Sequence, residues 1–385
     1  MAQRYVRLGR AAGTCLATLG SVPRQVAAFE MKLVNLTDRC DTEQRYWNMT
    51  DRQSALSRIV GVEEHVFFAD LVRRLPAQAF IERGYLGRDA QFGPASMVDQ
   101  MSDTDDRLSI MDEGGLTVQV LSYPSSGADL LPPHRAVPWA RDVNDAIANR
   151  VASHPSRYAG LAHLPLTDPI ASAEELDRSV KELGMRGGLV SGATNGRYLD
   201  DRIFEPLLSR AEQLDVPLYL HPAPSPKPAR DALYGGLPGD LGFWMSVSGW
   251  GWHADTATHV LRLLLAGAFE RHPKLKIIIG HLGEGLQVMM SRLDQQFHDF
   301  AGFAGLPSEI LRRHVWISTS GFFFMPSFLA ALDAFGPDRL LYSVDYPFGS
   351  SKRGLDFLEK LPVDADTLAK ITHRNADQLL KLASH

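Results

Sequence analysis

The stretch Leu275-Lys276-Ile277-Ile278-Ile279-Gly280-His281 is a short apolar, β-branched run that ends in a histidine. Leu282-Gly283-Glu284 and a helical pattern to Phe297 follow it. Such a run, too short for a helix and rich in β-branched residues, predicts a buried strand. Seven more runs of the same kind surround it. Arg58 to Val66, Thr117 to Tyr123, Tyr158 to Pro165, Arg186 to Ser191 and Val216 to Pro222 precede it, and Val315 to Ser320 and Leu340 to Pro347 follow. Helical patterns separate most of them: Val143 to Val151, Ala171 to Leu183, Phe204 to Leu214, Glu284 to Phe297 and Pro326 to Phe335. A final one, Asp366 to Leu382, closes the chain. Strands that alternate with helices imply right-handed βαβ units and a parallel sheet. Eight units in about 325 residues predict an α/β fold closed as a (β/α)8 TIM barrel. A doubly wound open sheet would show a Gly-rich phosphate turn after the first strand, and Glu63-Glu64-His65 stands there instead.

The length left over falls mainly in two insertions, at about residues 72–103 and 223–271. The second carries a loop of Pro, Gly and Trp and its own helix, Ala254 to Phe269. Residues 1–57 read as an N-terminal extension, poorly structured or loosely packed, and residues 58–385 as the barrel. Met1 to Phe29 holds Arg4, Arg7, Arg10 and Arg24 and no acid, faintly like a transit peptide, and Ala11 to Leu19 is faintly like a signal core. The tripeptides at Asn35 and Asn48 fit the glycosylation pattern, which matters only in a secreted protein. The chain has 385 residues, 45% hydrophobic and 22% charged, which excludes wholesale disorder. A net charge of −5 gives no reason to expect nucleic acid or an anionic membrane as partner. The longest apolar runs, such as Leu263 to Phe269, fall far short of a membrane span. Cys15 and Cys40 are the two cysteines, so the body uses no disulfide or thiolate, as expected of a cytoplasmic protein.

Active sites of such barrels lie at the C-terminal ends of the strands. Of 13 histidines, four end predicted strands: His65, His163, His221 and His281. Glu63 and His65 are two apart, so they share one face of the first strand while Glu64 points the other way. If that face is the lumen, His221 and Asp345 from other strands can converge on the same point. Two histidines and two carboxylates make a divalent site, for zinc first and manganese second.

Five separated motifs carry a family resemblance across nearly the whole chain after residue 57. They are Val62-Glu63-Glu64-His65, Tyr219-Leu220-His221-Pro222, Ile278 to Gly285, Ser318-Thr319-Ser320-Gly321 and Ser343 to Phe348. Together they resemble the amidohydrolase superfamily (the amidohydrolase-2, aminocarboxymuconate-semialdehyde decarboxylase-like family). Within it the chain looks nearest the γ-resorcylate and 2,3-dihydroxybenzoate decarboxylases, which carry Glu-x-His on the first strand where most of the superfamily carries His-x-His. The resemblance implies metal ligation by Glu63, His65, His221 and Asp345. It implies catalytic roles for Asp345, as acid, and for His281 with Glu284, as a pair that holds the substrate oxygen. Arg292 matches an arginine near the substrate carboxylate, supplied in some members by a neighbouring subunit, and the expected assembly is a homodimer or homotetramer. The loops Ser191 to Gly196, Trp250 to His253 and Phe322 to Met325 depart from the characterised decarboxylases, which bears on substrate identity.

Other residues carry bland readings beside the functional ones. His163 and His259 read as core histidines. His253 either faces the pocket from the insertion or caps the helix after it. Asn195-Gly196 reads as a turn, with Asn195 a candidate substrate contact. Phe322 and Trp252 are candidate substrate contacts, although aromatics at a barrel rim serve packing as readily as ring stacking. No Gly-x-Ser-x-Gly elbow occurs, so a serine hydrolase is not expected. The function implied is metal-dependent, non-oxidative decarboxylation of a hydroxybenzoate-like acid. The alternatives are hydrolysis of an amide, lactone or ester by the same residues, and a barrel that only binds ligands.

Overall fold

The structure, a computed structural model, describes residues 49–87, 95–102, 105–124, 126–297 and 305–382. The cysteines and the transit-, signal- and glycosylation-like features fall in residues 1–48, outside the described residues. Within the stretch read as an extension, Met49–Leu56 form a helix. Its Arg52 guanidinium donates to the carbonyls of Leu358, Glu359, Leu361 and Val363, so the packed fold includes this helix.

Every expected run contains a strand. These are β1 (Val60–His65), β2 (Val118–Ser122), β3 (Tyr158–Gly160), β4 (Ala162–His163), β5 (Gly188–Ser191), β6 (Leu218–His221), β7 (Ile277–Ile279), β8 (Val315–Ser318) and β9 (Leu340–Leu341). The third run is broken at Leu161 into β3 and β4, so nine strands make eight staves. All pairings are parallel, β1 to β3 in one ladder and β4 to β9 in another. Leu161 joins the two: its N–H donates to Leu121 O, and the next N–H, of Ala162, donates to Gly187 O. At the other seam Val62 N–H donates to Tyr342 O at 3.0 Å, Asp345 N–H to Glu63 O at 3.1 Å and His65 N–H to Tyr346 O at 2.9 Å. The barrel is therefore closed.

Inside it, Val60, Val62, Val118, Val120, Leu189, Tyr219 and Ile278 pack together, with Ala376, Leu379 and Leu380 of the last helix against them. The β1–β2 register slips between Gly61 and Glu64. This bulge lets Glu63 and His65, rather than Glu64, continue the inward row begun by Val60 and Val62; bulges re-aim side chains in this way beside active sites. Glu64 turns instead into the seam. It accepts from the N–H groups of Val344 (2.8 Å) and Tyr346 (3.2 Å), flanking Asp345. Buried Arg107 supports the same seam by donating to His65 O at 2.7 Å and Gln119 Oε1 at 2.6 Å.

Three helix expectations shift. The helix expected from Val143 begins ten residues earlier, as Pro133–Ser153, because Pro133 sits in the first turn, where its missing N–H costs nothing. The insertion at 223–271 folds into Lys227–Tyr234, Leu241–Ser246 and Gly251–Leu265, followed by Ala268–Arg271. Glu284 does not open the helix after β7: residues 281–285 all have positive φ, and the α-helix starts only at Met290.

Candidate active site

The C-terminal rim of the barrel brings Glu63, His65, His221 and Asp345 together, each with a ligand atom within 4.8 Å of the others. His65 Nε2 lies 2.9 Å from Asp345 Oδ1, and His221 Nε2 lies 3.5 Å from Glu63 Oε1. Each group is held from behind. The Nδ1–H of His221 donates to Pro222 O at 2.8 Å, which leaves the Nε2 lone pair facing the cluster. His65 Nδ1 meets Ser122 Oγ at 3.2 Å. Glu63 Oε2 accepts short hydrogen bonds from Tyr219 and Ser320, while Glu63 Oε1 is buried with no hydrogen-bond donor among the described residues. Gly280 makes room for this arrangement: a Cβ there would stand 2.6 Å from Ser320 Oγ and 3.0 Å from Glu63 Oε2.

Next to the cluster, His281 Nδ1 is 2.7 Å from Glu284 Oε1, and His281 Nε2 is 4.0 Å from Asp345 Oδ2. Burial alone would lower the His281 pKa, but the Glu284 carboxylate outweighs it and raises His281 to about 9. Burial would raise Glu284, but the positive charge on His281 and hydrogen bonds from His253 and His281 bring it down to about 2. Burial and then the neighbouring Glu63 charge push the Asp345 carboxyl well above the usual carboxylate range. The backbone is strained here: His281, Leu282, Glu284, Ser320 and Asp345 all have φ between 40° and 62°. Left-handed non-glycine residues cluster at sites that the surrounding structure over-determines.

The remaining expected residues divide. Phe322 stands at the site, its ring 4.9 Å from the His281 ring and 5.4 Å from that of His253. Trp252 reaches it through His253, to which its Nε1–H donates at 3.1 Å. Asn195 sits in an exposed turn with φ 51° and borders a cavity of about 360 Å³ with Arg83, Asp129, Lys227 and Arg230. No member of the four-residue cluster lines that cavity, so the structure does not bring Asn195 to them. Arg292 is exposed on the helix Met290–Phe297, and no hydrogen bond or ion pair among the described residues ties it to the four-residue cluster. His163 and His259 are core histidines: His163 Nε2 accepts from Ala128 N and His259 Nε2 from Leu199 N. Sequence reasoning passed over Tyr219 as a support for Glu63, although Tyr219 is two residues from His221 and period two places both on one face.

The four-residue cluster fits a divalent cation. Two ligand atoms about 2.1 Å from one ion stand roughly 3.0 Å apart at a right angle and roughly 3.4 Å apart at the tetrahedral angle. The observed separations of 2.9 and 3.5 Å match. A buried carboxylate oxygen without a donor, Glu63 Oε1, is what a cation would satisfy. Imidazole and carboxylate donors suit zinc or manganese.

A closed (β/α)8 barrel with such a cluster at its strand ends defines a class of metal-dependent barrel enzymes. The chain belongs to the amidohydrolase family, whose pattern matches residues 40–382. It is 38% identical over 302 residues to the decarboxylase orsB of Emericella nidulans, covering 75% of this chain and 89% of that one. It is 35% identical over 294 residues to γ-resorcylate decarboxylase of a Rhizobium species, covering 72% and 87%. A dihydroxybenzoic acid decarboxylase of a Polaromonas species, solved with manganese and the inhibitor 2-nitroresorcinol, is similar at a TM-score of 0.72 and 31% identity. That match covers 85% of this chain and 98% of that one. The branch expected from Glu63-Glu64-His65 is the branch of these relatives. No helix among the described residues is long and apolar enough to cross a membrane.

Proposed function

We propose that this enzyme is a metal-dependent, non-oxidative carboxy-lyase of a hydroxybenzoate-like acid, with Glu63, His65, His221 and Asp345 holding the cation. Zinc or manganese suits these donors, and the manganese in the Polaromonas relative supports the second. The observation that carries the reading is the placement of Asp345. Its Oδ1 meets the cluster at His65, while Oδ2 faces His281. One carboxyl group thus reaches both the metal-binding residues and the space where a substrate ring would lie. When bound, a divalent cation supplies positive charge that neutralises and orients the substrate carboxylate. Asp345 donates a proton to the ring carbon that bears the carboxylate. The electron pair of the breaking C–C bond then restores the ring as carbon dioxide leaves. His281 holds a substrate oxygen through Nε2, and Phe322 walls the ring. The proposed location is the cytoplasm.

The test runs the enzyme in deuterated water over a panel of hydroxybenzoates. Deuterium is expected on the carbon that carried the carboxylate, with stoichiometric carbon dioxide. Cleavage of amides, lactones or esters with the same metal dependence, and no release of carbon dioxide, would replace this reading with hydrolysis.

The proposed assembly is a homodimer or homotetramer. Leu241, Trp244, Met245 and Trp250 of the insertion are all exposed, and exposed apolar side chains gathered in one segment suit a protein–protein contact. Arg292, exposed in its own chain, is the residue proposed to serve a neighbour's site. Sedimentation at micromolar concentration should show a species of at least twice 42.5 kDa; a monomer alone would remove this part of the reading.

A further inference from the structure

His253 approaches Glu284 from a separate part of the chain. It lies in the first turn of the inserted helix Gly251–Leu265, while Glu284 and His281 share the turn after β7. His253 Nδ1 is 2.6 Å from Glu284 Oε2, and His281 Nδ1 is 2.7 Å from Glu284 Oε1. One carboxylate therefore bridges two imidazoles, whose ring centroids are 4.5 Å apart at 71°. The three side chains could also be read as a second metal site, since their ligand atoms lie within 4.8 Å of one another. The distances decide against it. Ligands on a shared ion stand roughly 3.0 Å apart or more, and 2.6 and 2.7 Å are charge-assisted hydrogen bonds.

We propose that His253 is a positioning residue of this active site. It completes a His253–Glu284–His281 chain that fixes where His281 presents Nε2 toward Asp345 and the substrate. The proposal rests on the functional reading above. Three observations support it. First, the Glu284 side chain is wholly buried, and with His253 removed Oε2 has no remaining donor among its described contacts. An unsatisfied buried carboxylate oxygen is costly, so the group would rotate and carry the His281 ring with it. Second, the left-handed turn 281–285 is held by a few backbone bonds, Leu282 N–H to Ser318 O, Gly283 N–H to Gly280 O and Leu286 N–H to Gly283 O, none of which fixes a side chain. The orientation of His281 is then set by its bond to Glu284, and that of Glu284 by both imidazoles. Third, the orientation of His253 is itself fixed. Its Nε2 lies 3.1 Å from the Trp252 Nε1–H donor and 3.2 Å from the Ser248 O acceptor. With Nε2 bare and accepting from Trp252, Nδ1 carries the proton and donates to Glu284. Phe322 covers both rings from the mouth.

The test uses the metal-loaded full chain and three substitutions. His253→Ala should lower kcat by about 10²-fold, the loss expected when a catalytic group is misplaced by about 1 Å, with KM and metal content little changed. His253→Asn, whose amide N–H2 can stand where Nδ1–H stood, should recover most of that loss. His253→Ala placed on Glu284→Gln should add little to the loss that Glu284→Gln causes alone, since both break one chain. In parallel, crystal structures of wild type and His253→Ala should show the His281 ring turned from its present position. This readout needs no activity, so it tests the chain even if no aromatic acid is decarboxylated. Wild-type kcat in His253→Ala, an Asn variant no better than Ala, multiplicative effects in the double variant, or an unmoved His281 ring would each overturn the proposal.

Discussion

Asp345→Asn is expected to lower kcat by about 10²–10⁴-fold, the usual loss when a group that transfers a proton in the transition state is removed. The substitution isolates that role. Asp345 has a φ of 62°, and asparagine tolerates the left-handed region, so the backbone stays in place. The amide oxygen can still stand opposite His65 Nε2, where Asp345 Oδ1 now lies at 2.9 Å. Lost is the carboxyl group that would deliver the proton to the ring carbon in the proposed reaction. Elemental analysis should find the variant with most of its metal, and thermal unfolding should be close to wild type. If kcat falls less than tenfold with the metal retained, another group protonates the ring. If the metal is lost along with activity, the experiment reports ligation and leaves His281 as the remaining candidate acid.

The barrel was legible because its strands are short, apolar and β-branched, and because each is bounded by a turn or a helical pattern. Periodicity located all eight staves, but it did not show the break at Leu161, since that residue is as apolar as its neighbours. Nor did it show how early the strand that carries Asp345 leaves the ladder. Only Leu340–Leu341 pair with β8, and the chain then turns through Asp345 with its carboxyl at the rim. That departure depends on Glu64 gripping the N–H groups on either side of Asp345, a contact across 280 residues that no local pattern encodes.

The site was legible in part for a different reason. Glu63, His65, His221 and Asp345 could be grouped because each ends or follows a strand, and strand ends of a barrel converge. Period two alone would have set Glu64, not Glu63, in line with Val60 and Val62; the bulge after Gly61 reverses this. His253 stayed ambiguous because it lies in an insertion, where no barrel rule says which way a helix faces. Its contact with Glu284 spans 31 residues and depends on how that helix packs. Asn195 illustrates the converse. It follows a strand end, yet Gly196 and a bridge between Thr194 and Arg197 fold it into an outward turn.

Removing the metal should be the largest single perturbation of stability, and His221→Ala should reproduce it. Glu63 and Asp345 set two carboxylates beside each other in a buried space. Glu63 Oε1 has no hydrogen-bond donor among the described residues, and the His221 Nε2 lone pair faces Glu63 at 3.5 Å. Without a cation that oxygen stays without a donor, and burial and the Glu63 charge disfavour ionisation of Asp345. With one they are satisfied together, so the folded state binds metal and the unfolded chain does not to the same degree. At a free metal concentration of 100 times Kd this linkage contributes about 2.7 kcal/mol. Dialysis against a chelator should therefore abolish activity and lower the melting temperature by several degrees, and zinc or manganese should restore both. His221→Ala removes one ligand and leaves its backbone in β6. Loss of a partner that merely orients a ligand costs about 10–100-fold in metal affinity, and loss of the ligand itself should cost at least that. The variant should be folded by circular dichroism, hold little metal after dialysis, and melt where the chelated wild-type protein melts. If it retains metal at wild-type stoichiometry, or if the wild-type protein is equally stable with and without a chelator, the four residues do not form the binding site.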